Sequence, residues 1–267
     1  MRRLVLGIVL AVGLGATVAG PANANPRVVT CGDTITQPGT WNVRGNCSGA
    51  GITIAASDVV LKLNGHRLDG GGNGDGIALD SVSDIRIEGP GRISNYQYGI
   101  NFAYVDDAHV EHVTVVGSTA QGVALYDSGS NVFKYDAVRG SQYHGFTLNG
   151  SNGNLLAEDA STGNGSNGIF LASSSGDRVA YDSLNGNGGD GVDVGTVGNG
   201  PANNNTIKHV TANHNGGFGV ALESTSSGNA VSYSRAHGNH FEDAVDQTCG
   251  ANSWSDNSFG SFANGCS

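Results

Sequence analysis

Gly99-Ile100-Asn101-Phe102, Gly122-Val123-Ala124-Leu125, Gly145-Phe146-Thr147-Leu148 and Gly168-Ile169-Phe170-Leu171 are four copies of one phrase, spaced 23 residues apart. Outward from them it recurs as Gly51-Ile52-Thr53-Ile54, Gly76-Ile77-Ala78-Leu79, Gly191-Val192-Asp193-Val194 and Gly219-Val220-Ala221-Leu222. The full run of intervals is 25, 23, 23, 23, 23, 23 and 28 residues. A fixed period in this range marks a solenoid. Inside each phrase apolar and variable residues alternate, which is the period of a strand. The leading glycine is expected to make a tight turn at positive φ. A second apolar patch follows about ten residues later, as in Asn131-Val132-Phe133 and Thr206-Ile207-Lys208. Its leading position reads Asn131, Asn154, Asp177, Asn205, Asn229. Stacked coils lie ~4.8 Å apart, so this column is expected to bond from coil to coil. The 28-residue interval adds a Gly/Asn-rich loop around Val197 to Ala202.

Composition agrees with a turn-rich all-β chain. Of 267 residues 44 are glycine and only 5 proline, and 13% are charged. Glycine at that level opposes a helical bundle, because each one costs roughly 1 kcal/mol in a helix interior. Scarce proline without a three-residue glycine period excludes collagen. Arg2 and Arg3, the apolar run Leu4 to Ala19 and Ala22-Asn23-Ala24 have the form of a secretory signal cut after Ala24. No second long apolar run follows, so no membrane span is expected in the mature chain. Removing the two arginines leaves 11 basic against 23 acidic residues, a charge of −12, which disfavours nucleic acid as a partner. In an exported chain the four cysteines are expected to form two disulfides. Three connectivities are open; pairing Cys31 with Cys47 and Cys249 with Cys266 closes short loops at each end.

Phrase, period and asparagine column resemble the right-handed parallel β-helix repeat of the pectate-lyase-like superfold. The resemblance covers residues 51 to about 245. It implies an all-β, single-stranded right-handed parallel β-helix of about eight to nine coils with disulfide-bearing ends. The chain then divides into a signal peptide (1–24), an N-terminal cap (25–50), the β-helix (51–245) and a C-terminal cap (246–267). Lyases, hydrolases, epimerases and non-enzymatic proteins all use this superfold, so function has to come from the site.

Counting from each phrase glycine as zero, positions +1 and +3 fill the core, and −1, +2 and +4 are expected to face solvent. Tyr98, Asn101, Gln121, Tyr126, His144 and Asn149 then fall on three consecutive coils, with Asn167 on the next. Aromatic rings and amides in such an array suit sugars, and His144 or a tyrosine suits proton transfer. β-Elimination from a uronic acid needs a base, an acid and a group that neutralises the carboxylate. His144 is assigned as base, Tyr126 or Tyr98 as acid, and Arg139, Gln121 or Asn149 as neutraliser. Asn101, Gln121, Asn149 and Asn167 are assigned to substrate binding. A second, acidic region holds Asp190, Asp193 and Glu223, with Asp243 and Asp246 as further members; it suits Ca²⁺ or a glycoside hydrolase pair.

Histidines 109, 112, 214, 237 and 240 suggest copper or zinc, and some periplasmic β-helix proteins are implicated in copper handling. However, residues three apart on a strand point to opposite faces. The column His112, Tyr135, Glu158, Tyr181, His209, Tyr233 is better explained by packing, and no metal ligand is assigned. Tyr98-Gly99-Ile100-Asn101 resembles the opening of the mannuronan C-5 epimerase motif Y-G-[FI]-D-P-H, but Asn101 and Ala103 replace its catalytic aspartate and histidine. Tyr143-His144-Gly145 resembles one polygalacturonase element without that family's other motifs. The reading is a secreted, monomeric, carbohydrate-active protein acting on a polysaccharide. A lyase on a uronic-acid polymer comes first, a non-catalytic glycan-binding or cell-envelope module second, and a glycoside hydrolase third.

Overall fold

The computed structural model describes residues 27–198 and 200–265; the expected signal segment and Cys266 lie outside them. The chain is a right-handed parallel β-solenoid of about 10 turns, with no helix among the described residues. Every phrase strand joins one 11-stranded parallel sheet, and a 15-stranded sheet with a two-stranded one, Arg235–Ala236 and Ser258–Phe259, forms the rest of the wall. The turn count exceeds eight to nine because the end segments pair in register too. Thr34–Ile35 joins the phrase sheet ahead of Ile52–Ile54, and Ala244–Asp246 and Phe262–Asn264 close it. No helix among the described residues is long and apolar enough to cross a membrane.

The expected register holds at the core. Positions +1 and +3 of all eight phrases, from Ile52 and Ile54 to Val220 and Leu222, are buried. Burial of each such side chain is worth about 1.5–3 kcal/mol. The phrase glycines behave differently from expectation, because none has positive φ. A Cβ at Gly99, Gly122, Gly145 or Gly168 would lie 2.6–2.8 Å from the carbonyl oxygen of the next phrase glycine. Glycine is required there by coil-on-coil contact. Positive φ belongs to the corner before each phrase, as at Gly117 (69°), Gly140 (67°) and Gly163 (63°).

The asparagine column is a ladder, with each side-chain oxygen accepting the main-chain N–H of the coil before. Asn154 Oδ1 takes Asn131 N at 2.9 Å, and Asn229 Oδ1 takes Asn205 N at 2.8 Å. Two further ladders were not read from the sequence. One runs through Asn164, Asn187 and Asn215, the other through Asp136, Asp159 and Asp182. These satisfy corner amides that no strand reaches.

Cys31 and Cys47 form the expected disulfide, with Cα atoms 5.6 Å apart. Cys249 is also disulfide-bonded. The stacked column is confirmed as packing. His112 lies on Tyr135 (centroids 5.0 Å), and His209 is sandwiched between Tyr181 (4.6 Å) and Tyr233 (5.2 Å).

Candidate functional site

The phrase sheet turns three columns of side chains outward, and the middle one is not the open surface expected. At +2, Ala124 is fully buried, Thr147 is 5% exposed and Asp193 8%. The long residues at −1 and +4 lean over small +2 residues and cover them. Tyr98 and Tyr126 do so most plainly: from the −1 column of one coil and the +4 column of the next, they bring their hydroxyls near each other beside Ala124. Elsewhere a −1 residue crosses to the +2 residue of the next coil. Asn101 Nδ2 donates to Asp75 Oδ2 (2.9 Å), Asn167 Nδ2 donates to Asp193 Oδ2 (2.9 Å), and His144 tilts against Phe170 (5.1 Å). The result is a narrow groove with a roofed floor.

Towards the N-terminus the roof ends. An open depression of about 570 Å³ is lined by Gly51, Thr53, Gly71, Gly74, Asp75 and Ala78. The glycine-rich segment beside it is tied down by Gly72 N donating to Asn95 O (2.7 Å) and by Thr119 Oγ1 donating to Gly72 O (2.7 Å). A second hollow of about 280 Å³ continues along Ala78, Asp80, Asn101 and Ala103. Asp75 borders both hollows, and burial raises its pKa. It stood in the −1 column of the sequence without being assigned a role; the hollows that single it out exist only in three dimensions.

The expected proton-transfer groups take revised roles. His144 Nδ1 accepts the main-chain N–H of Asn167 at 3.3 Å. Burial lowers the His144 pKa, so the ring is neutral at pH 7 and carries its proton on Nε2. In this tautomer Nε2–H is a donor; a base role uses the other tautomer, in which the 3.3 Å bond from Asn167 N is released. Burial, then the hydrogen bond with Tyr98, push the Tyr126 pKa up, which keeps its hydroxyl protonated and suited to an acid role. Arg139 is exposed at the end of strand Ala137–Arg139, on the other sheet, away from the cluster. Gln121 and Asn149 keep half-buried places in the −1 and +4 columns, with Asn149 in register with Tyr126.

The acidic region is held together by main-chain and amide donors. Asp190 Oδ1 accepts Phe218 N (2.6 Å), and Glu223 Oε2 accepts Thr196 N (3.2 Å). Burial, reinforced by Glu223 nearby, pushes the Asp190 pKa up to about 6. Burial and the charges of Asp190 and Glu223 raise Asp193 well above the carboxylate range. Asp243 and Asp246 are not part of this region. Asp246 takes a core-facing position beside Leu222 and accepts Thr248 Oγ1 (2.6 Å) and Trp254 Nε1 (2.9 Å). Asp243 accepts Asn239 Nδ2 (2.8 Å) and Ser261 N (3.1 Å) at the C-terminal end.

Charge is divided around the solenoid. No strand of the phrase sheet carries Lys or Arg, and every Lys and Arg among the described residues lies on or directly beside a strand of the opposite wall. The groove therefore has carboxyl groups and no fixed cation.

A search of curated sequences finds no match to the chain. Solved structures share its fold. The periplasmic alginate epimerase AlgG superposes with TM-score 0.62 at 12% identity, over 82% of this chain and 61% of that one. The Azotobacter vinelandii mannuronan C-5 epimerase AlgE4 A-module gives 0.61 at 14%, over 89% and 81%. Geobacillus virus E2 ORF18 gives 0.63 at 14%, over 87% and 53%. The chain thus spans about three-fifths of AlgG and about half of the viral protein. One family model, described as periplasmic copper-binding protein (NosD), matches residues 31–200. A copper centre does not fit the described residues. They hold no group of three or more His, Cys, Asp or Glu side chains able to ligate a metal, for copper or for Ca²⁺ at Asp190, Asp193 and Glu223. Cys31 is held in its disulfide. With well over half of its length matched by that model, the chain belongs to the NosD family.

Proposed function

We propose that this chain is an exported carbohydrate-active protein that seats an extended polysaccharide along the groove of the phrase sheet. The carrying observation is the groove itself: in-register columns of tyrosine, amide and carboxyl side chains opening into the hollow beside Asp75. Aromatic rings with polar tips and amides suit the faces and hydroxyls of sugars. Two fold neighbours are named for action on alginate or mannuronan, which supports a carbohydrate role. The periplasmic family and the Cys31–Cys47 disulfide mark an exported protein. No step proposed here runs through copper.

The finer reading is a lyase cleaving a uronic-acid polymer by β-elimination. What favours it is a neutral imidazole and a protonated phenol on adjacent coils: His144, in the tautomer with Nε2 free, takes the proton from the carbon next to the carboxylate, the bond to the leaving oxygen breaks as the double bond forms, and Tyr126 protonates that oxygen. Tyr98 remains as the partner that orients Tyr126. A panel of polysaccharides tests both readings, with affinity electrophoresis for binding and ultraviolet absorbance for unsaturated uronate products. Retarded migration in at least one glycan is expected, and none with any glycan sinks the proposal. Unsaturated product that disappears in His144→Ala establishes the lyase; binding without product leaves a glycan-binding module.

A further inference from the structure

The floor of the groove has a period of its own. Along the +2 column Asn101, Ala124, Thr147, Phe170 and Asp193 follow one another in strict register. Polar and apolar residues alternate, so the polar ones stand two coils apart, about 9.6 Å at the ~4.8 Å strand spacing. Each polar member has one buried atom without a hydrogen-bond partner: Asn101 Oδ1, Thr147 Oγ1 and Asp193 Oδ1. Thr147 and Asp193 are more than nine-tenths buried. A polar atom left unpaired in this way costs about 1–3 kcal/mol; unpaired oxygens also occur in the corner ladders, at Asp136, Asp177 and Asp182, but these three share one column of the phrase sheet.

We propose that the floor recognises an uncharged, extended 1,4-linked glycan, with one disaccharide for every two coils. The proposal rests on the carbohydrate reading above, names the substrate class for that same groove and stands against the lyase reading, since β-elimination needs a uronate; it goes with the glycan-binding module. In an extended 1,4-linked chain successive sugars alternate in orientation, so every second ring presents the same edge at close to this interval. Sugar hydroxyls both donate and accept, and so satisfy all three floor atoms. Asn101 Oδ1 can only accept, because Nδ2 of the same amide is the atom that donates to Asp75. A uronate carboxylate, by contrast, brings a charge that the sheet does not neutralise. It would meet Asp75, Asp190 and Glu223 with no Lys or Arg on the sheet. Phe170, between Thr147 and Asp193, supplies an apolar platform for the intervening ring. The rim side chains that now cover the floor, Tyr98–Tyr126 foremost, must part for a sugar to enter. The unpaired floor atoms weaken the closed arrangement and are satisfied in the open one.

Titration calorimetry with cello- and manno-oligosaccharides of increasing length, against oligogalacturonates of matched length, tests this. Neutral oligosaccharides are expected to bind at least ten-fold more tightly, with affinity rising in steps of two sugars. Thr147→Val removes the unpaired hydroxyl at nearly constant shape. It should raise the melting temperature while weakening binding about ten-fold, a split that a purely structural residue does not produce; Thr147→Ser should retain binding. Tighter binding of oligogalacturonates, or unchanged neutral affinity in Thr147→Val, overturns the inference and leaves the carbohydrate reading standing. Failure of every glycan overturns both.

Discussion

At the residue scale, Asp177 shows how narrow the margin is between a ladder that works and one that strains. It stands in a column otherwise made of asparagine, and Asn154 N donates to its Oδ1 at 2.7 Å. Its asparagine neighbours also use Nδ2, as Asn131 does to Val105 O (2.9 Å) and Asn205 to Ser174 O (2.9 Å). Asp177 has no such donor; its Oδ2 is buried without a partner, and burial pushes its pKa to about 7. Asp177→Asn is expected to raise the unfolding free energy by about 1 kcal/mol at neutral pH, measured by urea titration. The phrase glycines carry the opposite lesson. A Cβ at Gly122 would lie 2.8 Å from Gly145 O and 2.9 Å from Ser141 Oγ. Gly122→Ala should therefore cost about 3 kcal/mol, which the same titration reads.

At the scale of the element, the aspartate ladder is a stack of carboxyl groups sealed inside one corner. Val113 N, Asp136 N and Asp159 N donate to Asp136, Asp159 and Asp182, each at 2.7 Å. Burial is the main cause that pushes Asp136 to about 8 and Asp159 to about 7, and it also raises Asp182 well above the carboxylate range. Glu111 and Glu158 add to the rise, and Lys134 opposes it at Asp159. Because these pKa values are higher folded than unfolded, the folded chain holds more protons between about pH 4 and pH 8. Their contribution is complete below about pH 4 and is lost as pH rises through about 8. The melting temperature should fall by roughly 5–10 °C between about pH 5 and pH 9, and Asp136→Asn should flatten that slope.

At the scale of the whole molecule, the solenoid is closed at its first turns by a covalent staple and along its length by repetition. Cys31 and Cys47 bridge a separation of 16 residues, and a loop of that size is worth about 3 kcal/mol. Reduction, or Cys31→Ser with Cys47→Ser, should lower the unfolding free energy by about that amount. Loss of protection in hydrogen exchange should be concentrated in the first turns, since each coil of a solenoid depends mainly on its neighbours. The division of charge around the wall is also a whole-molecule property. It makes neutral glycan affinity nearly independent of salt, which calorimetry at low and high ionic strength checks.

The repeat interval and the alternation inside each phrase were enough to determine the solenoid, its inward residues and the columns on its outer face. Those follow from local periodicity, which stacking preserves residue for residue. The asparagine ladder was legible for the same reason, as was the place of Tyr98 and Tyr126 on strands of the phrase sheet, with His144 and Asn167 just ahead of the strands that follow them. Only the tertiary structure decided which outward residues are covered, that Arg139 belongs to another wall, that Asp246 faces inward and that His144 offers a donor. It also revealed the hollow beside Asp75 and the unpaired atoms of Asn101, Thr147 and Asp193. Exposure, tautomer and partnership depend on how far a side chain reaches across to the next coil. That reach is set by the size of neighbours 23 to 28 residues away, which no local pattern records.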